Sequence, residues 1–405
     1  MREKMITVIQ VKTAGQMRAF AKFPLRLYKN CPYYVPAIYA DERGLCDPKK
    51  NPMLADSEIR CFLAYREGRA VGRVAAILQK TYNRISGRKC MRFSRFDCEN
   101  DPEAAAALLG AVEAFARERG MDTVHGPWDF NDQGREGMLT EGFGVRATYA
   151  TNYNYEYYPA LISALGYAPE SEWVEYDFAI PEEPDKRIAN VARYIQKKLE
   201  LTELADTMPM KKLIARYGHE SLAMVNEAYS SLDCYVPVSG KVVDHILKQF
   251  ATAINPRYFS ALADKSGRVI AMGVVLPSLC APLQKSGGRM GPLTLLRLAK
   301  AISRPKELEM VLIAVLPEYQ KLGVNAVMMA RIINHIIEDG IEHVESNPEL
   351  VGNLAVQSQW STLERRIVKR RKTFVNQISS VTAAFAAVFL SFAPIIFDFL
   401  LKSGK

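Results

Sequence analysis

The sequence predicts an α+β protein in which one arrangement of strands and helices occurs twice. An apolar run, a polar turn with glycine and a second apolar run form a hairpin pattern at 62–78, and the same pattern returns at 258–276. Helix signals follow each hairpin, and then a short apolar strand that a proline closes, at 124–127 and 311–317. This shared order predicts two tandem domains, each a mixed, mainly antiparallel sheet flanked by helices.

A charged, proline-rich segment separates the two halves. Asp101-Pro102-Glu103 opens a helix that ends at Gly120 and fills the connection after the first hairpin. The order hairpin, strand and helix in each half does not indicate a regular parallel sheet, and the glycine-rich fingerprints of nucleotide-binding folds do not occur either. The chain divides into an N-terminal domain, a linker, a C-terminal domain and an apolar C-terminal helix: 1–180, 181–187, 188–378 and 379–405.

A chain of 405 residues is too long for one typical core, which agrees with two domains. The formal net charge of +9 is placed unevenly, because eight basic and two acidic residues give +6 to residues 364–405. A nucleic-acid-binding protein usually spreads positive charge over one face, so no nucleic-acid partner is expected. The seven cysteines form no CxxC pair and the five histidines have no ligand spacing, so no metal is expected.

Residues 381–401 form an apolar run long enough to cross a bilayer as a helix. The basic residues at 370–372 would keep the body on the cytoplasmic side. Pro394 and Asp398 favour two alternatives, a shallow interfacial helix or a helix that docks on the body or on a second subunit of a homodimer. The N-terminus lacks a signal-peptide pattern, so we expect a cytoplasmic protein that is either free or membrane-associated through its tail.

The strongest chemical signal is a strand, a short loop and an amphipathic helix in the second half. The strand (309–317) ends at a proline, and the helix (325–337) has its apolar residues on one face. The loop (318–324) would present unpaired N–H groups at a helix N-terminus, where a phosphate is favoured. Gly323 permits close approach of a ligand, and Lys321 adds a positive charge.

This loop resembles the pyrophosphate loop of the GNAT superfamily of acyl-CoA-dependent N-acyltransferases, whose pattern is Gln/Arg-x-x-Gly-x-Gly/Ala. The match lies at Gln320 and Gly323, whereas Asn325 stands where the family has a small residue and would crowd a pyrophosphate. The resemblance implies that acetyl-CoA or another acyl-CoA is the co-substrate. It assigns acyl-CoA binding to seven residues: Val315, Gln320, Lys321, Leu322, Gly323, Val324 and Asn325.

The first half resembles the superfamily in the segment 152–158, and the order of segments is similar to that of a bacterial tandem-GNAT group. This half has no phosphate loop, because Asp129, Asp132 and Glu136 at the turn taken as equivalent would repel a pyrophosphate. It is therefore interpreted as a degenerate copy. Its tyrosines form either the wall of an acceptor pocket or an aromatic join in the core: Tyr153, Tyr155, Tyr157 and Tyr158.

The resemblance implies direct attack of an amine on the thioester, which needs a base, a donor to the leaving thiolate and an N–H that polarises the carbonyl. The base would be Glu309, and the alternative is an exposed strand-end glutamate without a catalytic role. The backbone N–H of Val315 would contact the carbonyl. The donor stays open among three residues: Tyr235, Tyr319 and Ser346.

The sequence thus predicts an N-acyltransferase that moves an acetyl or longer acyl group from acyl-CoA to an amine, either a small molecule or a peptide. The alternative is a non-catalytic GNAT-fold binding or scaffold protein at the membrane, which Asn325 leaves open. Two further segments have two interpretations each. The insertion 279–304 is a lid or a passive excursion, and the basic run 365–372 is a solvated strand edge or a contact for anionic lipid.

Overall fold

The computed structural model describes residues 5–378 apart from 132–133, 231, 233–234 and 361–362. The C-terminal helix expected at 381–401 therefore lies outside the described residues. Within the described part of the chain, no helix is both long enough and apolar enough to cross a bilayer.

The first half starts with a hairpin and adds helices on the connections that follow it. Its strands are β1 (Thr7–Gln10), β2 (Ser57–Arg66), β3 (Arg69–Gln79), β4 (Cys90–Cys98), β5 (Thr123–Gly126), β6 (Met138–Glu141) and β7 (Ala168–Phe178). Its helices are α1 (Ala14–Leu27), α2 (Tyr39–Gly44), α3 (Lys80–Ser86), α4 (Pro102–Glu118) and α5 (Tyr158–Ala164). The helix α4 begins as predicted, because the Asp101 side chain caps it and Pro102 occupies its first position.

The second half repeats this order after an additional helix. Its strands are β8 (Thr202–Glu203), β9 (Phe259–Ala263), β10 (Val269–Pro277), β11 (Glu307–Val315), β12 (His343–Ser346), β13 (Glu349–Leu350) and β14 (Arg365–Gln377). Its helices are α6 (Lys186–Lys198), α7 (Met210–Tyr229), α8 (Lys241–Ala253), α9 (Cys280–Ser286), α10 (Pro292–Ser303), α11 (Val324–Glu338) and α12 (Leu354–Gln359). The amphipathic α11 buries the predicted apolar stripe, including Met328, Ile332 and Ile336.

The described strands form one continuous sheet in which the two halves exchange a strand. The strand order is β1-β2-β3-β4-β5-β14-β7-β12-β11-β10-β9-β8. β14, from the second half, pairs with β5, whereas β7, from the first half, pairs with β12. The two exchanged strands lie antiparallel to each other at the centre. The predicted fold class is confirmed for the described residues, and the exchange joins the two halves in a single sheet.

The equivalence that the sequence suggested between 124–127 and 311–317 is wrong. β11 pairs antiparallel with β10 and parallel with β12, just as β4 pairs with β3 and β5. Thus β11 corresponds to β4, and β5 corresponds to β12. Both segments end at a proline, and a proline does not distinguish the strand before a helix from the strand after it.

The first-half turn that corresponds to the phosphate loop is therefore 99–101, not the turn with Asp129 and Glu136. This turn is also acidic, because it carries Glu99 and Asp101. The Asp101 carboxylate accepts from the Ala104 N–H at 3.2 Å and from Arg66 at 2.9 Å. The helix N-terminus of the first half is thus occupied by the protein's own carboxylate.

The basic run 365–372 is not a solvated strand edge. It lies in β14 at the centre of the sheet, where Lys369 and Arg371 are each 1% exposed. The neighbouring strand β7 carries the matching acids. Glu172 pairs with Arg370, and Asp177 pairs with Arg366. Glu175 pairs with both Lys369 and Arg371. Lys369 and Arg371 are thus neutralised inside the fold, whereas the Arg366 side chain stays mostly exposed beside Asp177.

Candidate functional site

β11 and β12 separate at a fork in the second half of the sheet. They pair in parallel over 307–310 and 343–346 and have no ladder beyond this point. The Leu316 N–H donates to the Ile270 carbonyl on β10. Since hydrogen bonding alternates along an antiparallel pair, the N–H groups of Val315 and Ile313 point away from β10, into the fork.

The carbonyl groups beside these N–H groups already have partners. The Tyr229 hydroxyl donates to the Ile313 carbonyl at 2.8 Å, and the Gln320 side-chain amide donates to the Val315 carbonyl at 3.0 Å. The open edge of β11 therefore offers donors, and a carbonyl oxygen of a ligand could accept from them.

A β-bulge bends β11 at the fork. The consecutive residues Val274 and Val275 of β10 pair with Leu312 and Met310, which leaves Val311 as the extra residue. A bulge increases the local twist and bends the strand that carries it. It therefore accounts for the divergence of β11 from β12 directly after Met310.

The loop after β11 presents several unpaired N–H groups at the start of α11. Gln320 and Leu322 use their N–H groups in short turns to residues 316–319. Among the described residues, no acceptor faces the N–H groups of four positions: Lys321, Gly323, Val324 and Asn325. α11 has neither a side-chain cap nor an acidic residue in its first turn, so its dipole and these donors favour an anion.

The backbone of this loop depends on glycine at one position. Gly323 has φ 81°, and a Cβ there would lie 3.3 Å from the Ile195 side chain of α6. Lys321 also has a positive φ, and Leu322 is 43% exposed beside it. Gln320 points its amide back to β11, so its side chain braces the loop and leaves the N–H groups open.

The remaining two residues assigned to acyl-CoA binding lie in the first turn of α11. Val324 is buried in the core, so its backbone rather than its side chain faces a ligand. Asn325 is half-buried, and its N–H is one of the open donors. The loop thus gathers the predicted residues 320–325 with Val315, and their role in binding stays a prediction.

A cavity of about 280 Å³ lies in the fork, between β11, the end of β12 and α11. Apolar side chains supply most of its wall, among them Trp173, Phe178, Met310, Leu312, Met329, Ile332, Ile336 and Trp360. Among the described lining residues, only Glu136 and Glu349 carry a charge. Such a wall stabilises an alkyl chain by about 0.8 kcal/mol for each CH₂ group that it removes from water.

Glu349 is the titratable group that this cavity perturbs most clearly. Both of its carboxylate oxygens accept the Trp360 indole N–H, at 2.9 and 3.0 Å. Burial raises the pKa of Glu349 to about 7, although the Trp360 N–H and Arg365 act in the opposite direction. A carboxyl group with this pKa can accept or release a proton near neutral pH, as a general base does.

Glu309, the residue assigned as base from the sequence, does not line this cavity. Its neighbour Leu308 packs in the core against α11, so alternation along the strand places Glu309 on the other face of the sheet. It is buried and accepts from Ser278 at 2.7 Å, from the Cys280 thiol at 3.1 Å and from the Tyr149 N–H at 3.0 Å. Burial raises its pKa, and its catalytic role stays a prediction.

Two of the three candidate donors to the leaving thiolate line the cavity. The Tyr235 hydroxyl donates to Asn226 at 2.7 Å, and the Ser346 hydroxyl accepts from the Tyr176 N–H at 2.9 Å. Tyr319 instead donates to Asp264 at 3.0 Å, away from the cavity. The placement therefore favours Tyr235 and Ser346 over Tyr319.

Glu349 and Tyr229 are the lining residues that the sequence reasoning missed. A signal for Glu349 was present, since it lies three residues after the last residue of the short strand β12, in Ser346-Asn-Pro-Glu349. Tyr229 is the last residue of a long helix and gave no such signal. In the described part of the chain, no three His, Cys, Asp or Glu side chains are grouped to hold a metal ion.

The first-half fork, between β4 and β5, is filled by tyrosines of the segment 152–158, here called the tyrosine segment. Cys98 corresponds to Val315, because the Glu99 N–H bonds to β3 as the Leu316 N–H bonds to β10. Here the Cys98 N–H donates to the Tyr158 hydroxyl at 2.9 Å, and the Tyr157 hydroxyl donates to the Cys98 carbonyl at 2.8 Å. The tyrosines at 157 and 158 are thus an aromatic join in the core rather than the wall of the fork cavity.

The chain has the fold of the tandem GNAT proteins. A tandem GNAT protein from the clavulanic acid biosynthesis pathway superposes with a TM-score of 0.52 over 92% of this chain and 98% of that one, at 11% identity. A GCN5-related glucosamine N-acetyltransferase region of a fungal multi-domain β-N-acetylglucosaminidase gives 0.50 over 92% of this chain and 38% of that one, also at 11% identity. The resemblance stated from the sequence is confirmed at the level of the fold.

Two proteins are similar in sequence. The bacterial ceramide synthase of Caulobacter vibrioides is 26% identical over 297 residues, which cover 71% of this chain and 74% of that protein. Protein YghO of Escherichia coli is 30% identical over 153 residues, 38% of this chain and 39% of that protein. No family model matches the chain.

Proposed function

We propose that this protein is an acyl-CoA-dependent N-acyltransferase whose acceptor is an apolar, long-chain amine. The observation that carries the proposal is the apolar cavity at the fork. It lies beside the open edge of β11, and Glu136 and Glu349 are the only charged residues in its described lining. A polar amine such as a lysine side chain would gain little from such a wall, whereas an alkyl chain would be stabilised by it.

The loop at the start of α11 fits the pyrophosphate of a CoA thioester. Four open N–H groups, the helix dipole and Lys321 all favour negative charge, and Gly323 permits the left-handed backbone that this loop needs. The open N–H groups of β11 can then donate to the amide carbonyls of the pantetheine arm, and Ile313 also lines the cavity. Asn325 would contribute its open backbone N–H here.

The similarity to a bacterial ceramide synthase supports the choice of acceptor. A ceramide is a long-chain amino alcohol whose nitrogen carries a fatty acyl group as an amide. Synthesis of such a product requires a site for at least one long alkyl chain next to a nucleophilic amine. The cavity in the fork supports this choice, because its wall is mostly apolar and its described lining includes two carboxyl groups, Glu136 and Glu349.

Glu349 would act as the base in this reaction. The amine nitrogen attacks the thioester carbon, the C–N bond forms, the C–S bond breaks and the nitrogen loses a proton. Glu349 can take that proton, directly or through a water, because burial holds its pKa near 7. The Ile313 N–H would polarise the thioester carbonyl, and Tyr235 or Ser346 would protonate the leaving thiolate.

The test is an acyl-transfer assay on the purified full-length protein. Acetyl-CoA and palmitoyl-CoA are each offered with sphinganine and, separately, with a lysine-containing peptide, and the amide is quantified by mass spectrometry. We expect product from sphinganine, with at least one of the two thioesters. Product from the peptide alone would contradict the apolar acceptor. Binding of CoA without product from either acceptor would instead support the non-catalytic alternative.

A further inference from the structure

α10 presents a row of apolar side chains that the fold leaves uncovered. Leu293, Leu295 and Leu296 are 58%, 52% and 69% exposed, while Thr294 and Leu298 on the opposite side are buried. Leucine in a helix that packs on a soluble body normally faces that body. An exposed apolar group of this size usually marks a surface that meets another apolar phase.

The chain segment that carries these leucines has charged residues of one sign only. Residues 278–306 contain six basic and no acidic residues: Lys285, Arg289, Arg297, Lys300, Arg304 and Lys306. Lys306 pairs with Glu342 outside the segment. Lys300 lies on the exposed side of α10 together with Leu293 and Leu296, as the helical period requires, and the exposed Arg304 directly follows the helix. This face therefore combines apolar contact with positive charge.

The segment is held rigidly to both halves of the body. Gln284 in α9 donates to the Pro32 and Tyr34 carbonyls at 2.8 and 3.0 Å, and the Tyr39 N–H donates to the Gly288 carbonyl at 2.9 Å. At the other end, Asn255 donates to the Ile302 carbonyl at 3.1 Å. The equivalent connection in the first half, 80–89, is much shorter and contains only α3. These anchors do not favour a mobile lid and fix the orientation of the exposed leucines.

We propose that α10 docks this protein on the surface of an anionic phospholipid bilayer. The leucines enter the boundary between headgroups and acyl chains, and the basic residues lie at the level of the lipid phosphates. Charge complementarity selects this occupant, because a neutral apolar partner would not explain why the segment carries cations without a single acid. The inference does not depend on acyl transfer and is tested without it.

The test measures partitioning of the full-length protein onto vesicles of phosphatidylcholine with and without phosphatidylglycerol. The variant Leu293→Gln/Leu295→Gln/Leu296→Gln changes only exposed side chains, so it should fold as the wild type does. We expect its partition coefficient on anionic vesicles to fall by about tenfold or more. The variant Lys300→Gln/Arg304→Gln should lose most of the preference for phosphatidylglycerol, as should the wild type in about 0.5 M salt.

The matched control is Val191→Gln/Tyr194→Gln, which removes exposed apolar side chains from the basic helix α6. It should bind vesicles as the wild type does. Equal losses in both variants would overturn the inference, because binding would then follow general hydrophobicity. Unchanged binding of the leucine variant would also overturn it and would point to residues 379–405. A third result would overturn the inference as well. If the leucine variant and the wild type differ in sedimentation coefficient without vesicles, a second copy of the chain covers the leucines of α10.

Discussion

The two forks of the sheet share one topology and differ in what fills them. In the first half, Tyr157 and Tyr158 bond to the open edge of β4 at Cys98, and Asp101 caps the helix that follows. In the second half, the N–H groups of Ile313 and Val315 point into a fork that holds a cavity, and α11 begins without a cap. The backbone donors that could bind a ligand are thus open in the second half, whereas side chains satisfy them in the first half.

The largest expected effect comes from the carboxyl group of the open fork. Glu349→Gln should lower kcat by about 100- to 1,000-fold with sphinganine as acceptor, because it removes the proposed base. In the wild type, kcat/KM should rise with pH and level off above an apparent pKa near 7, since only the ionised carboxylate accepts a proton. In the variant, kcat/KM should not show this rise with pH.

The matched control for this prediction is Glu342→Gln, which changes an exposed carboxylate on the same chain segment. Its kcat and its pH profile should equal those of the wild type. A Glu349→Gln enzyme with full activity would remove Glu349 from the mechanism, and Glu309→Gln would then be the variant to compare.

The second effect tests whether the open loop can be made to resemble the acidic turn of the first half. Leu322→Glu places a carboxylate beside the unpaired N–H groups, where it should compete with and repel a pyrophosphate. We expect the Kd for acetyl-CoA to rise by about 10- to 100-fold, about 1.4 to 2.8 kcal/mol. Calorimetric titration or the ligand-induced rise of Tm measures it.

Leu322→Gln is the control, because it has nearly the same shape as glutamate and no charge. It should bind acetyl-CoA within a factor of about two to three of the wild type. If both variants bind as the wild type does, the pyrophosphate does not lie at this loop and the correspondence between the two turns has no functional meaning.

The third effect probes the filled fork. Tyr158→Phe removes a hydroxyl that the Cys98 N–H and Tyr28 use, and the site is fully buried. We expect a loss of about 1–3 kcal/mol in the free energy of unfolding, measured by urea denaturation, with no change in the Kd for acetyl-CoA. A change in that Kd would mean that the tyrosine segment contributes to the site after all.

The fourth effect concerns the dependence of stability on pH. The Glu349 carboxyl has its pKa at about 7 in the fold and at about 4.3 in the unfolded chain, so the fold binds a proton between these values. Wild-type stability from this group therefore falls as the pH rises from about 4.5 to 7. Near pH 4 the stability difference between Glu349→Gln and the wild type is a constant, and by pH 8 the variant should gain on the order of 3 kcal/mol relative to the wild type.

Urea titrations of both proteins across this range measure that gain. A constant difference between them at every pH would contradict the raised pKa, whatever its size. It would also weaken the proposed base, because an ordinary carboxyl group would already be ionised at neutral pH and would bind a proton poorly.

Local signals were enough for most elements of the fold. The hairpin turn at 67–68 and the Asp101-Pro102 start of α4 depend on neighbours in sequence, and both are present. The loop with Gln320 and Gly323 was likewise found from its own residues. By contrast, the equivalence of 124–127 with 311–317 failed, because which strands are partners depends on pairing between distant segments.

The exchanged strands β7 and β14 show what the sequence indicates about pairing and what it does not. The sequence carries a basic strand at 365–372 and an acidic one at 170–177, and such complementary charge is compatible with pairing. Nothing local shows that these strands, which lie far apart in the chain, meet at the centre of the sheet with Lys369 and Arg371 fully buried. The sequence pattern of this run is typical of a surface strand. Lys369 and Arg371 are buried and neutralised only because β14 pairs with the acidic strand β7.

The sequence by itself determined the tandem α+β architecture, the hairpins, the phosphate-type loop and the amphipathic α11, because each follows from periodicity, capping or turn chemistry within a few residues. The tertiary structure decided which carboxyl group faces the cavity, which fork stays open and which cations are buried. These depend on the face to which a strand turns its side chains and on strands brought together from opposite ends of the chain. Burial, and with it the pKa of Glu349, exists only after that assembly.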